Sequence, residues 1–169
     1  YGKSKVIGEQ AVRKYGKHLP WVILRPTSLW GPWFGSPYRD FFDVLSRGLY
    51  FHPKGIRVYR SYGFVLNAVE AMYKMAVETR SDVVSNQVFY LADPEPIELY
   101  AWATEICKFL GVKRPREVPI AVLWFAAKLG DIASSLGFNS LPLNSFRLNN
   151  LLTDAIYDIQ PLSRLVGPP

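Results

Sequence analysis

One cysteine, Cys107, stands in the chain, so no disulfide can form within it. That usage suits a reducing compartment and predicts a cytoplasmic protein. There are two histidines, His18 and His52. Neither has cysteines or carboxylates at metal-ligand spacing, so no metal site is predicted. Both are expected on the surface or in loops. No glycine-rich turn joins a strand to a helix, which excludes the fingerprint that cradles a dinucleotide pyrophosphate. No apolar run is long and uninterrupted enough to make a stable membrane span. The most apolar stretch, "PIAVLWFAAKLGDIASSLG" from Pro119 to Gly137, carries Lys128 and Asp131, and predicts a buried amphipathic helix instead. The first residues lack the apolar run of a signal peptide. The formal charge is +6, which favours anionic partners. The cations are dispersed, however. Their densest group, Lys113, Arg114 and Arg116, is broken by Pro115, so nucleic acid is not a predicted partner.

What is present is ample apolar material. Of 169 residues, 49% are hydrophobic and 15% aromatic, enough for the core of one ordinary domain or two small ones. Residues 1–16 read as a helix ending near Gly16. "WVILRP", Trp21 to Pro26, reads as a strand buried on both faces. "GPWFGSP" is a loop, and "YRDFFDVLSRG" a helix stopped by Gly48. "IRVYR" reads as a short strand. "VLNAVEAMYKMAVE" is a helix with Val65, Val69, Met72 and Ala76 as its apolar stripe. "QVFYLA" is a second buried strand. A helix follows with Leu99, Trp102, Ala103, Ile106, Phe109 and Leu110 inward, ended by Gly111. Cys107, on or near that stripe, is predicted to be a packed thiol. A helix starts at Ile120, and "YDIQ" is a candidate last strand. Alternating strands and helices predict an α/β fold with parallel pairing. Two convincing strands are too few for a complete doubly wound sheet.

"YGKSK" opens the chain, with Tyr1 and Lys5 one helical turn apart on one face. A free phenol titrates near pKa 10. A nearby ammonium favours the phenolate and makes a tyrosine usable as an acid/base. A solvated helix face also explains such a pair.

"YGKSKVIGE" is similar to the active-site helix of the extended short-chain dehydrogenase/reductases, the NAD-dependent epimerase/dehydratase family. Nineteen residues after Lys5, "LRPTSLWGP" resembles that family's R-P-x-x-x-Y-G-P strand and loop, with Arg25, Pro26, Gly31 and Pro32 in place and Trp30 for the tyrosine. "RSYGFVLNAVEAM" resembles R-D-[FY]-x-x-V-x-D-x-A. Arg60, Tyr62 and Val65 match, and Ser61 and Asn67 stand where aspartates are usual. "QVFYLADPEPIEL" resembles the last sheet strand and its turn.

The resemblance implies a C-terminal fragment: the second half of a Rossmann-type NAD(P)-binding domain with most of a small mixed α/β substrate-binding lobe. Residues 1–30 and 64–92 would form the sheet layer, and 31–63 and 93–169 the lobe. The glycine-rich turn and the Ser or Thr of the catalytic triad would lie upstream of Tyr1. By the same resemblance, Tyr1 exchanges a proton with a substrate hydroxyl while hydride moves to or from the nicotinamide. Lys5 bonds the nicotinamide ribose, and Pro26, Thr27 and Ser28 lie beside the nicotinamide. Ser28 takes the place of an asparagine that meets the substrate diphosphate. Arg60 binds that diphosphate, a task suited to a forked cation. Arg147 is a candidate for a second phosphate contact or a solvated arginine. Trp33 and Phe34 could line a substrate pocket, with core packing expected for at least one. The cofactor is NAD or NADP, and the substrate a nucleotide sugar that is epimerised, dehydrated or reduced. Two alternatives are a reductase of the 3β-hydroxysteroid type and a non-catalytic fold relic that binds a partner. The family also implies a homodimer through the tyrosine helix, and an isolated fragment without activity.

Overall fold

The alternation of apolar runs and helical periodicity is realised in the computed structural model, which describes residues 1–36, 38–78, 81–137 and 143–167. In chain order the elements are α1 (Gly2–Tyr15), β1 (Val22–Pro26), β2 (Ser28–Trp30), α2 (Tyr38–Ser46), β3 (Phe51–Pro53), β4 (Tyr59–Arg60), β5 (Tyr62–Phe64) and α3 (Val65–Tyr73). A π-helical turn over Lys74–Glu78 extends α3. Then come α4 (Ser81–Val84), β6 (Gln87–Leu91), β7 (Ile97–Glu98), α5 (Leu99–Phe109), β8 (Arg116–Val118), α6 (Ile120–Ser135), α7 (Ser145–Leu152) and α8 (Gln160–Val166). The chain forms two compact units: Tyr1–Trp33, Ser61–Pro96 and Tyr157–Pro169 in the first, and Phe34–Arg60 and Ile97–Ile156 in the second.

In the first unit β1 pairs in parallel with β6, from Val22 opposite Gln87 to Pro26 opposite Leu91. β2 pairs in parallel with β5. The core joins Phe89 and Leu91 of β6 to Ala68, Met75, Val84 and Leu162, with Leu24 and Leu29 packed against them. The last helix, expected with residues 93–169 in the lobe, thus places Leu162 in the core of the sheet unit. β1 is half-buried rather than enclosed on both faces, because β6 is its one partner strand among the described residues. The expected stripe on α3 is not the buried one. Ala68 is buried and Ala71 partly so, while Val69 and Met72 are 55% and 42% exposed. Two alanines let the helix backbone approach the sheet closely, and that turns the larger residues outward. After β2 the chain turns at Gly31 (φ +145), where a Cβ would meet Val65 Cγ1 at 2.5 Å. Glycine alone fits there, since φ is positive and the α3 start is in contact.

In the second unit β3 pairs in parallel with β8, and β4 antiparallel with β7. "IRVYR" shrinks to the two residues of β4. "YDIQ" makes no strand; a single bridge joins Arg60 to Ala155 instead. α2 packs on α5 through Leu45, Ala103 and Cys107. Cys107 is buried, as the sequence predicts, and burial pushes its thiol pKa up. Around them Phe41 stacks on Trp102 at 5.3 Å, and Phe34 meets Phe42 edge-on. Trp33, in contrast, is fully exposed with φ 71. Glu98 caps α5 by accepting from the backbone N–H groups of Tyr100 and Ala101, both at 2.9 Å. Gly111 (φ 68) ends the following turn. Phe109 and Leu110, expected inward, fall on the exposed side.

His52 is not a surface residue. It is 1% exposed on β3. Its Nε2 lies 2.9 Å from the Ile56 carbonyl and its Nδ1 3.1 Å from the Tyr50 hydroxyl. A neutral ring donating from Nε2 and accepting at Nδ1 satisfies both contacts.

α6 buries Leu123, Ala127 and Gly130. Its other side, with Val122, Phe125, Leu129, Ile132 and Leu136, is more than half exposed, so the expected burial covers one face only. No helix among the described residues is long and apolar enough to cross a membrane. Asp131 ties α6 to α7, accepting from the Ser145 hydroxyl at 2.5 Å and the Ser145 N–H at 3.0 Å. These bonds to Ser145 hold the carboxyl pKa below its usual value. A depressed carboxylate pKa adds stability above the unfolded-state value, near 3.9, and loses it as pH falls through the folded value. Asp131→Asn should therefore lower the urea midpoint at pH 7, and the gap from wild type should close as pH falls through the folded value. A gap independent of pH would remove the charge from this account.

Candidate active-site residues

α1 begins at Tyr1, whose carbonyl accepts from the Ser4 hydroxyl at 2.7 Å and from the Ser4 N–H at 3.1 Å. These bonds fix the first turn. Tyr1 is 97% exposed, and the Lys5 ammonium lies 5.2 Å from its ring centroid. The structure thus brings Tyr1 and Lys5 together as a cation–π pair, with the phenol facing solvent.

α1 has no buried residue. A fork of hydrogen bonds holds it. Arg25 of β1 donates from Nε to Glu9 Oε1 at 2.8 Å and from Nη2 to Glu9 Oε2 at 2.6 Å. Its Nη1 lies 3.4 Å from the Tyr90 hydroxyl. The Arg25 bond holds the Glu9 carboxyl below the usual carboxylate range, and Glu9 raises the guanidinium in return. Glu9 follows Tyr1 by two helical turns, about 12 Å along the axis. Both residues stand within the motifs quoted above, but the motifs do not pair them. A carboxylate on the helix face opposite an arginine in the next strand was the available signal.

Pro26, Thr27 and Ser28 span the carboxyl end of β1 and the start of β2. Because β1 and β6 run parallel, their carboxyl ends coincide at Pro26 and Leu91. Thr27 bonds the Leu91 carbonyl through its N–H at 3.0 Å and its hydroxyl at 3.3 Å. Ser28 sits opposite Tyr62. In open α/β sheets ligands bind outside the carboxyl ends of the strands, so these three residues stand where that rule places a ligand. Asp93, just after β6, accepts from the Phe64 N–H and the Asn67 side chain, both at 2.9 Å. Asn67 thus serves the start of α3 from the position of a usual aspartate.

Arg60 belongs to the second unit. Its backbone is fixed opposite Ile97 in β4. Its Nη2 donates to the Asn150 carbonyl, and its Nε is buried with no partner among the described residues. Arg147 lies exposed on α7, and His18 is exposed. Among the described residues no group of histidine, cysteine and carboxylate side chains could hold a metal ion.

No family model and no curated protein matches the sequence. Solved structures do. The chain is similar to UDP-glucuronic acid 4-epimerase from Bacillus cereus in complex with UDP-glucuronic acid and NAD, at 16% identity and a TM-score of 0.67, over 100% of this chain and 47% of that one. It is similar to UDP-glucose 4-epimerase from Thermotoga maritima with UDP-glucose, at 17% identity and a TM-score of 0.58, over 99% and 46%. A nucleoside-diphosphate-sugar epimerase from Pseudomonas aeruginosa matches at 18% identity and a TM-score of 0.62, over 96% and 46%. The chain spans about half the length of these structures. It has the mixed α/β fold of the C-terminal half of these Rossmann-type epimerase structures.

Proposed function

We propose that the chain is the C-terminal part of an NAD(P)-dependent enzyme that epimerises, dehydrates or reduces a nucleotide-activated sugar. The observation that carries this reading is the Tyr1–Lys5 pair, solvent-facing at the start of a helix in a fold shared with nucleotide-sugar epimerases. The pair fits the ribose end of a nicotinamide dinucleotide, offering one phenol and one ammonium on one face. The bound dinucleotide supplies the hydride acceptor or donor. Tyr1 moves the proton of the reacting hydroxyl, and Lys5 holds the ribose hydroxyls beside it. Pro26, Thr27 and Ser28 present the strand end to the nicotinamide, and Ser28 offers one hydroxyl to the substrate. The pyrophosphate cradle and the third catalytic hydroxyl belong to a preceding half, so the 169-residue chain alone turns nothing over. The same reading pairs two subunits through α1, whose Val6 and Ile7 are 56% and 55% exposed.

Arg60 binds the substrate diphosphate. A charge-assisted contact of this kind contributes roughly 1.5–3 kcal/mol. Arg60→Ala in the intact protein should then raise the KM for a nucleotide sugar about 10- to 100-fold, with kcat little changed. Arg60→Lys should recover part, because lysine keeps the charge and loses the fork. An uncharged hydroxysteroid offers the guanidinium nothing, so its KM should not move. Steady-state kinetics on a panel of both classes decides the matter. If Arg60→Ala is silent on every nucleotide sugar that the wild type turns over, the diphosphate role is wrong.

A further inference from the structure

In the second unit, Arg47, Lys113, Arg114 and Arg116 line one open cleft of about 430 Å³, and no carboxylate is among its lining residues. Lys113, Arg114 and Arg116 are the densest cation group of the sequence, and the fold brings Arg47 from a separate segment to the same cleft. α2 and α5 pack through Leu45, Ala103 and Cys107, with Tyr50 and Val112 against them, so the two helices end side by side. Each chain then folds back at a left-handed glycine, Gly48 (φ 66) after α2 and Gly111 (φ 68) after α5. The returns are fastened by Leu49 N–H to the Val44 carbonyl and Val112 N–H to the Cys107 carbonyl, both at 3.0 Å. Pro115 is buried and fixes the backbone between Arg114 and Arg116. Arg116 is held in β8 opposite Phe51.

The bland account of such cations is that they complement helix C-termini. Two helix ends supply about −0.5 charge each, which leaves about three positive charges without a counterpart. Neighbouring acids are engaged elsewhere. Asp43 faces Arg39 at 3.7 Å, Glu105 faces Lys108 at 4.0 Å, and Glu117 accepts from the Gly55 N–H at 3.5 Å. None of the four cations makes an ion pair among the described residues. Four like charges on a preformed concave surface repel one another until an anion joins them. Three are arginines, whose planar forks match phosphate oxygens. The volume is that of a small-molecule site.

We propose that this cleft binds a multiply charged phosphate group, as a site separate from Arg60 and independent of the hydride chemistry. The group is carried either by a soluble phosphorylated molecule or by a lipid headgroup, and two arms of one experiment separate them. In the first, pyrophosphate is titrated calorimetrically into the intact protein. In the second, the protein is sedimented with phosphatidylcholine vesicles, with and without a phosphoinositide. Saturable binding of pyrophosphate assigns a soluble ligand, and binding only to phosphoinositide vesicles assigns a headgroup. In either case the Lys113→Glu/Arg114→Glu double variant should weaken binding about ten-fold or more, and Arg47→Gln, across the cleft, by about three-fold or more. Both arms use the Arg60→Ala background, so that the proposed substrate diphosphate contact does not contribute. Lys14→Glu/Lys17→Glu, with the same change of net charge in the first unit, should alter binding less than about two-fold. Arg47→Gln keeps the test decisive if the double variant fails to fold. Absence of binding in both arms overturns the proposal, and so does equal weakening by the control variant.

Discussion

Tyr1→Phe in the intact protein should lower turnover of its nucleotide sugar by about 10²–10⁴, with cofactor affinity little changed. The substitution removes one oxygen. The ring stays, and so does the contact with Lys5, whose ammonium lies 5.2 Å from the ring centroid and needs the π face rather than the hydroxyl. Apart from that contact, Tyr1 packs against nothing in this chain, being 97% exposed, and the substitution keeps its ring. A change in kcat without a change in melting temperature then reports the hydroxyl alone. Lys5→Met should behave differently, weakening cofactor binding as well, because on the proposed reading the ammonium is the group that meets the ribose. If Tyr1→Phe keeps full activity, Tyr1 is not the proton carrier.

Breaking the Glu9–Arg25 fork should reach the same chemistry from a distance. The helix that carries Tyr1 and Lys5 buries none of its residues in the unit. Its tie to β1 is a two-pronged ion pair at 2.6 and 2.8 Å, with Arg25 steadied over the Tyr90 ring at 5.6 Å. Exposed ion pairs contribute little to stability, and this one, with side chains 40% and 23% exposed, is expected to add little to the melting temperature. Position is another matter. A shift of about 1 Å in a catalytic group costs as much as 10²-fold in rate. Glu9→Gln or Arg25→Met should thus cut kcat about 10- to 100-fold in the intact protein, with little change in unfolding midpoint. Glu9→Asp, which keeps the charge and shortens the reach, should fall between. Variants that lose stability and activity in proportion would make the pair an ordinary structural contact.

The sequence carried the elements better than their faces. Helices ended where Gly48 and Gly111 said they would, because a left-handed turn is a local requirement written in one residue. The two apolar runs became parallel strands in register. The inward face of α3 was not legible, since hydrophobicity favours valine and methionine whereas close approach to a sheet favours alanine. His52 was missed for a related reason: its burial depends on the Ile56 carbonyl and the Tyr50 hydroxyl, partners set by the local turn. "YDIQ" had strand-like composition and found no edge to join. Tyr1, Lys5 and Arg60 are singled out by motif resemblance alone, and their roles are proposals. The Glu9–Arg25 tie and the approach of Arg47 to the Lys113–Arg116 cations needed three dimensions, because each joins residues from separate segments.

The proposed role of Tyr1, proton transfer beside hydride transfer on a nucleotide sugar, can be read from product formation. The most direct measurement is to incubate the intact protein, wild type and Tyr1→Phe, with NAD or NADP and each of a panel of UDP- and dTDP-sugars, and to follow product by proton NMR. At least one sugar should be converted by the wild type, and Tyr1→Phe should slow that conversion by about 10² or more. Conversion at equal rates by both proteins, or conversion of hydroxysteroids with every nucleotide sugar left untouched, would contradict the proposed role.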